Sequence, residues 1–454
     1  MGTIANHFGK RVGNRAMIVA VLEVLRLLQP YQYIAVYSLI LFYFWYVWGV
    51  KFVYSRFYKP VRNDFTDLVS VAIPTYKEDK GTLEKAVNSV LGNPRHIVGE
   101  VLIVTDSREP EVTQWCQSRW GGHVRVLVSP PGKRLAIKMA IEEARFEYVV
   151  VIESDTFAAP DTIPELIKPF ADQKVGGVVG DQQIFQPYTS LVTYFNHLVE
   201  LIKYRITVPA LSTRGQVTVL GGRCVAYRRK AAMPLMEGLT TERFLGRLCV
   251  SGDDGRFTSL LLQAGWSCVY QSTAKTVTIS PPTWKTLFKQ RLRWFRNGSR
   301  RTVRALSCAT ERSFSERSSP DQFHTILLSP PDRFWIWKRP LAAWQMLTVW
   351  TNTLMLLGIV ALHAKNFQDG RWLLHEAYGL GVLGIVAILW LGSVLTRIVR
   401  AYPGMRETRK AWWVYLTIFP FYLLSLWGLR WYAIFTMNKQ GWLTREGGPG
   451  GFAT

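Results

Sequence analysis

The sequence predicts an α/β domain built on a mostly parallel sheet, accompanied by transmembrane and interfacial α-helices. Three observations carry this. Between residue 65 and about residue 275, short apolar runs alternate with helix-compatible segments, the pattern of β-α units around a parallel sheet. Polar residues of catalytic type stand at the carboxyl ends of those runs, where ligands bind in such sheets. Four stretches outside this region lack any charged residue and approach the ~20 residues that span a bilayer. They are Tyr31–Val50, Leu341–His363, Ala377–Thr396 and Ala411–Leu429. One alone fits a buried core helix; four together argue against a soluble protein. The 454 residues thus divide into a membrane anchor (1–60), a cytosolic domain (65–280), interfacial helices (281–340), transmembrane helices (341–436) and a tail (437–454).

In chain order, the apolar run from Met17 contains Glu23 and Arg26 and lacks a small-residue cleavage site, so it reads as an anchor rather than a cleaved signal. Pro30 divides Met17–Val50, which fits a hairpin. Strands are expected at Leu68–Ile73, Val101–Thr105, Val124–Val128 and Tyr148–Ile152, with helices at Gly81–Leu91, Glu111–Arg119 and Lys133–Glu147. Leu191–Ala210 is amphipathic, with Leu191, Tyr194, Phe195, Leu198, Val199 and Ile202 on one face and His197, Glu200 and Lys203 on another, as in an interfacial helix. Thr283–Leu306 sets eight Lys or Arg residues among aromatics, the composition of a helix lying on a membrane surface. Arg300, Arg301 and Arg304 read as its ordinary basic face. Ser307–Pro331 is polar and loop-rich, and the glycines from Gly447 to Gly451 mark a tail. Three uncharged stretches after the cytosolic domain would leave the C-terminus outside, whereas Arg397–Lys410, Lys439 and Arg445 favour the inside. With Pro420 midway in the last stretch, Ala411–Phe435 is expected to be re-entrant, interfacial or bent back.

The net charge of +23 would point a soluble protein toward nucleic acid. Here the excess flanks the apolar stretches, at Lys51, Arg56, Lys59 and Arg62 and again at Arg397, Arg400, Arg406, Arg409 and Lys410, as in cytoplasmic loops. Other cations are free to face anionic membrane lipid or nucleotide phosphates. No nucleic-acid module is recognisable, so no nucleic-acid partner is expected. The eighteen tryptophans gather near the ends of the apolar stretches, as in an interfacial belt. The five cysteines are dispersed without a C-x-x-C pair, and no H-E-x-x-H box exists, which excludes a recognisable structural zinc site and fits reduced thiols.

Four motifs carry chemistry. Glu153-Ser154-Asp155 follows an apolar strand, where closely spaced carboxylates can hold a divalent ion that neutralises a diphosphate. The same residues before Pro160 also fit a helix N-cap. Gly132-Lys133-Arg134 opens a helix after a Pro-Pro turn, so backbone N–H groups and Lys133 can face phosphates; alone, it is equally a solvated basic turn. Asp253-Asp254 offers a carboxylate able to take the proton of an attacking hydroxyl, or a cap and a surface charge. Gln290, Arg293 and Trp294 share one helix face by i, i+3, i+4 spacing, with Arg293 suited to a leaving diphosphate and Trp294 to stacking on a sugar ring.

In this order, the motifs resemble processive family 2 glycosyltransferases, and among them the hyaluronan-synthase-like branch, related to chitin-oligosaccharide, chitin and cellulose synthases. The resemblance runs from about residue 68 to 300 and resumes at Arg430-Trp431-Tyr432-Ala433 through Gln440-Gly441-Trp442-Leu443-Thr444-Arg445, similar to the family's W-G-T-R ending. It implies a glycosyltransferase-A-type nucleotide-sugar-binding domain, inverting transfer from a UDP-sugar, Mg²⁺ or Mn²⁺ as cofactor, a growing polysaccharide as acceptor and a membrane channel for it. It puts Thr75, Tyr76 and Glu78 near the uridine, Asp106 near uracil, and Lys133 and Arg134 near the diphosphate. Asp155 would bind metal beside Glu153, Asp254 next to Asp253 would be the base, and Gln290, Arg293 and Trp294 would line the acceptor side. Gly222, Arg223 and Cys224 match the acceptor-side loop, and Trp442 and Arg445 the channel entrance or gate. Glu153 stands where the family has the first aspartate of D-x-D, and Leu443 where it has the glycine of W-G-T-R. The expected setting is a multi-pass protein of the plasma membrane with its catalytic domain in the cytosol. The few spans leave room for a homo-oligomer or a lipid-lined path. A one-step transferase to a lipid acceptor and a non-catalytic membrane scaffold are the competing readings.

Overall fold

The computed structural model describes residues 32–306, 338–348 and 419–441. Two compact units divide the chain. The described part of the first is residues 32–50, all within helix α1 (Gln32–Phe57). The second begins at Lys51 and holds the α/β domain with the remaining described elements.

Strands β1 (Val69–Pro74), β2 (Val98–Asp106), β3 (Arg125–Ser129) and β4 (Tyr148–Ile152) alternate with helices α2 (Lys80–Leu91), α3 (Pro110–Trp120) and α4 (Lys133–Glu143). These match the expected runs to within a few residues, except that α4 stops at Glu143 instead of Glu147 because Ala144 turns extended. β5 (Thr156–Ala158), α5 (Thr162–Ile167), β6 (Val175–Ile184), α6 (Leu191–Ile202), β7 (Cys224–Arg228), the hairpin β8 (Arg243–Phe244) and β9 (Arg247–Leu248), α7 (Asp253–Gln263) and β10 (Ser267–Thr278) complete the domain. The large sheet has the order β3-β2-β1-β4-β7-β6-β10-β5. β1 to β4 form a parallel half, and β6 pairs parallel with β10. β7 lies antiparallel between β4 and β6, and β5 antiparallel on β10, so the sheet is mixed.

Period-two alternation feeds a core on each face. Val69, Val71 and Ile73 of β1 meet Leu83, Val87 and Val90 of α2 on one face. Ala72 joins Ala136, Ile137, Ala140 and Ile141 of α4 on the other, with Phe257 and Leu261 of α7. Both faces are covered, which places the polar strand ends at one rim.

Beyond the sheet, α8 (Trp284–Leu306) packs against α9 (Phe419–Phe435) and α6 through Leu287, Tyr422, Leu426, Val192, Phe195 and Leu198. Two expectations change here. The polar residues His197 and Glu200 of α6 are buried, so that helix is an interior element and not an amphipathic surface one. The basic face of α8 is also partly internal: Arg291, Arg296 and Arg300 are buried, because α6, α9 and the loop before α7 cover it.

Among the described residues no helix is long and apolar enough to cross a membrane. Helix α1 covers most of the first expected span, and α9 overlaps the last. The stretch Leu341–His363 is described only to residue 348, and Ala377–Thr396 lies outside the described residues.

Candidate active site

A cavity of about 300 Å³ opens beyond the strand ends and is lined by Glu153, Asp155, Glu200, Lys203, Gly222, Arg223, Asp254, Gln290, Arg291, Arg293 and Trp294 among others. Parts of the chain far apart in sequence meet there, among them the β4–β5 turn, the end of α6, the loop into β7, the start of α7 and the middle of α8.

The start of α7 separates two carboxylates that are adjacent in sequence. Gly252 adopts φ +81°, a left-handed conformation suited to glycine, and α7 begins at Asp253. Consecutive helical residues point about 100° apart. Asp253 is therefore buried against Lys133, 3.3 Å away, while Asp254 lines the cavity and accepts from the Gly255 backbone N–H at 2.7 Å. Burial, and then the charge of Asp253, raise the Asp254 carboxyl above its ordinary value. Burial pushes Asp253 up too, but Lys133 and Arg134 overrule it and hold that carboxyl low. One carboxyl is thus raised and faces the cavity, while its neighbour is held as a buried fixed charge.

Lys133 stands at the first turn of α4, after Gly132 at φ +127°, and its ammonium bonds Glu153. Burial works against its charge, yet Asp253 and Glu153 hold its pKa above the usual lysine range. Burial likewise opposes the charge of Glu153, and Lys133 keeps its carboxyl below the usual range. A Cβ on Gly222 would lie 3.3 Å from Lys133 Nζ and 3.5 Å from Glu153 Oε1, so a small residue there keeps this corner open. Gln182 braces the same loop, donating to the Gly221 carbonyl at 2.7 Å and the Cys224 carbonyl at 3.1 Å.

On the opposite wall, Glu200 sits among Arg223 and Arg291, each at 3.4 Å, and Lys203 at 3.5 Å. Burial alone would raise its carboxyl; the three cations bring it down to about 2. Arg291 and Arg223 also lie 4.8 and 5.5 Å from the centre of the Trp294 ring. The ring is therefore oriented by cation–π contacts at the cavity wall. Thr75, Tyr76, Glu78 and Asp106 do not line this cavity; among them, Arg108 is bidentate to Asp106 at 2.7 and 2.8 Å and lies 4.3 Å from the Tyr76 ring centre. Glu78 accepts from Ser154 Oγ at 2.8 Å, and Thr75 Oγ1 is buried without a hydrogen-bond partner among the described residues.

Arg134 and Cys224, both expected at the site, are turned into the interior of the domain. Arg134 is buried and donates to the Leu239 carbonyl, Glu242 and the Ser251 carbonyl, so it braces the loop before α7 and does not line the cavity. Its position one residue after Lys133 on α4 turns it to another face. Cys224 is the first residue of β7, buried in the core, with its thiol pushed up to about 12 by burial. Trp442 and Arg445 lie outside the described residues. Conversely, sequence reasoning missed Glu200, Lys203 and Arg291 as site residues. Their signal was present only as charge on helices read as interfacial.

Among the described residues, no three His, Cys, Asp or Glu side chains converge as a metal cluster. Glu153 and Asp155 both line the cavity. Mg²⁺-type ions are commonly held by one or two carboxylates and completed by substrate phosphates and water, so this donor set fits such an ion. Lys133 engages Glu153, so in such a site Asp155 would be the carboxylate more available to an ion.

A mixed α/β sheet with carboxylates and cations gathered beyond its strand ends is the arrangement of the glycosyltransferase-A fold. The chain belongs to the family described as "Glycosyltransferase like family 2", whose model matches residues 66–297. It is 29% identical over 265 residues to the hyaluronan synthase of Streptococcus pyogenes, covering 56% of this chain and 62% of that protein. It is 26% identical over 333 residues to an N-acetylglucosaminyltransferase of Rhizobium meliloti (strain 1021), covering 71% of this chain and 78% of that protein. The chain thus spans less than two thirds of the hyaluronan synthases it matches. The fold resembles that of a mannosyltransferase from Pyrobaculum calidifontis, solved in complex with GDP-Man and Mn²⁺, with a TM-score of 0.52 and 17% identity over 89% of this chain and 98% of that one.

Proposed function

We propose that this protein is an inverting, UDP-sugar-dependent polysaccharide synthase that extends a growing polymer at a membrane. The observation that carries the proposal is Asp254, a partly buried carboxylate of raised pKa facing a cavity that also holds the Glu153/Asp155 pair and the Gln290-Arg293-Trp294 face. In this reading Asp254 takes the proton of the acceptor hydroxyl as its oxygen bonds to C1 of the sugar and the C1–phosphate bond breaks, the electron pair leaving with UDP. Lys133 and Arg293 stabilise the departing diphosphate, the kind of electrostatic contribution that is large in a preorganised site. Asp155, with Glu153, would hold Mg²⁺ or Mn²⁺, which supplies charge neutralisation of the diphosphate. Tyr76 and Asp106, joined by Arg108, form the base end of the donor site, and Thr75 and Glu78 stand beside it. The acceptor wall is Arg223, Gln290 and Trp294. The uncharged stretches support a multi-pass plasma-membrane protein with this domain in the cytosol, in contact with membrane lipid and able to self-associate.

The relatives point to N-acetylglucosamine as the first donor to test. The full-length chain in detergent, given Mn²⁺ and UDP-N-acetylglucosamine, UDP-glucose or UDP-glucuronate singly and in pairs, is expected to release UDP and build a high-molecular-weight product. UDP release without polymer would replace the synthase with a one-step transferase. No release with any donor would overturn enzymatic function in favour of a scaffold.

The raised Asp254 carboxyl makes a pH prediction. The base must be ionised, so kcat/KM for UDP release falls as pH drops through that raised value, above the range of an ordinary aspartate. Asp253→Asn removes a neighbouring negative charge that raises it, so the acid limb of the pH profile is expected to move to lower pH. A limb that stays in place would remove Asp254 as its source.

A further inference from the structure

Arg300 lies six residues, nearly two helical turns, beyond Trp294, and its sequence position reads as surface charge, yet it is 2% exposed. Its guanidinium joins two parts of the chain far apart in sequence. One nitrogen donates to the Met437 carbonyl at 2.9 Å, in the turn that follows α9. The other donates to Ser251 Oγ at 3.2 Å and to Asn297 Oδ1. Ser251 Oγ in turn donates to Asn297 Oδ1 at 3.0 Å, which closes a triangle. The next residue, Gly252, is the left-handed cap from which Asp253 and Asp254 project. A Cβ on Gly252 would come within 2.8 Å of Asn297 Cγ, so α8 packs directly on the cap. A second tie runs parallel one turn earlier, where Arg296 Nε donates to Thr436 Oγ1 at 3.0 Å.

We infer that Arg300 is a positioning residue that couples the turn at 436–437 to the loop presenting Asp254, so that the base is held in place only while that turn is docked on α8. This rests on Asp254 being the base. The physical argument is the planar fork of arginine: it serves three acceptors in fixed directions, whereas a lysine ammonium is a point charge on a flexible stem. Misplacing a reacting group by about 1 Å can cost on the order of 10²-fold in rate without weakening binding elsewhere. Among the described residues Arg300 lines the same cavity but makes its hydrogen bonds to Met437, Ser251 and Asn297, not to Asp254, Tyr76, Asp106 or Arg108, so its loss is expected in turnover more than in donor affinity.

The test uses the full-length chain with UDP-N-acetylglucosamine and Mn²⁺, together with hydrogen exchange, which needs no substrate. Arg300→Ala is expected to lower kcat by about tenfold or more with donor KM within about twofold. Arg300→Lys should recover only part of this. Ser251→Ala should act in the same direction, and the double variant should be no worse than Arg300→Ala alone, as for two groups in one link. Amide exchange in Arg300→Ala should quicken at residues 250–255 and 436–440 together and stay unchanged in β1 and β2. Unchanged exchange at 250–255, additive losses in the double variant, or a rise in KM at constant kcat would each overturn the coupling. Asp254→Asn run alongside separates the two claims: turnover retained there removes the base assignment, while the exchange result still decides whether the link exists.

Discussion

Asp254→Asn is expected to abolish sugar transfer while leaving UDP binding intact. General-base catalysis contributes about 10²–10⁴-fold, and the amide cannot take the proton. The substitution keeps the shape of the side chain, and the acceptance from the Gly255 backbone N–H at 2.7 Å can be kept by the amide oxygen. Among the groups assigned to the donor, Lys133 keeps its partners Glu153 and Asp253, and the Tyr76–Arg108 contact does not involve Asp254. UDP binding measured by calorimetry and UDP release measured in the same preparation separate the two outcomes. Wild-type turnover in this variant would transfer the role of base elsewhere, and the buried Asp253, locked to Lys133, is a poor replacement.

Glu200→Gln is expected to cost the fold more than any other single change at the cavity. Glu200 is 1% exposed and is the carboxylate that Lys203, Arg223 and Arg291 share. Removing one partner of a buried ionic group leaves uncompensated charge, a loss of about 3–5 kcal/mol. Lys203, already held below its ordinary value by burial, would shed its proton first and soften the loss at high pH. The same carboxyl sets an acid limit on stability. Its folded pKa is about 2 against 4.5 for the free group, so its contribution is complete above 4.5 and is lost as pH falls from there toward 2. Thermal unfolding of wild type and variant across that window should show the difference between them shrinking as the solution is acidified. A difference that persists undiminished to pH 2 would mean that Glu200 contributes through packing and not through charge.

The parallel half of the sheet was legible because each strand is a short apolar run flanked by helix-compatible sequence, a local signal. β7 was not legible as a sheet strand. Its five residues, Cys224–Arg228, enter antiparallel between β4 and β6, and nothing local marks a strand that pairs across more than seventy residues with Tyr148–Ile152. The resemblance places Cys224 in the acceptor-side loop, whereas strand pairing turns it into the core. Arg134 failed for the opposite reason. Its neighbour Lys133 reaches Glu153 at the cavity, but one step along a helix moves a side chain by about 100°, and Arg134 points at Glu242 and Ser251.

By itself the sequence marked the candidate chemistry: the carboxylates at 153 and 155, the Asp253-Asp254 pair, the lysine at the start of α4, and the Gln290, Arg293 and Trp294 face on one helix. Each was readable because type and spacing suffice when the functional groups lie on one element or at a strand end. Only the tertiary structure decided which of the two aspartates faces the cavity, that Glu200 collects three cations behind it, and that Arg300 ties the loop before α7 to the turn at Met437. The physical reason is that a charged side chain looks the same in sequence whether it is solvated or buried. Its environment comes from α6, α8 and α9 packing together, and that packing is carried by Leu287, Phe195, Tyr422 and Leu426, apolar residues that could as well have faced lipid.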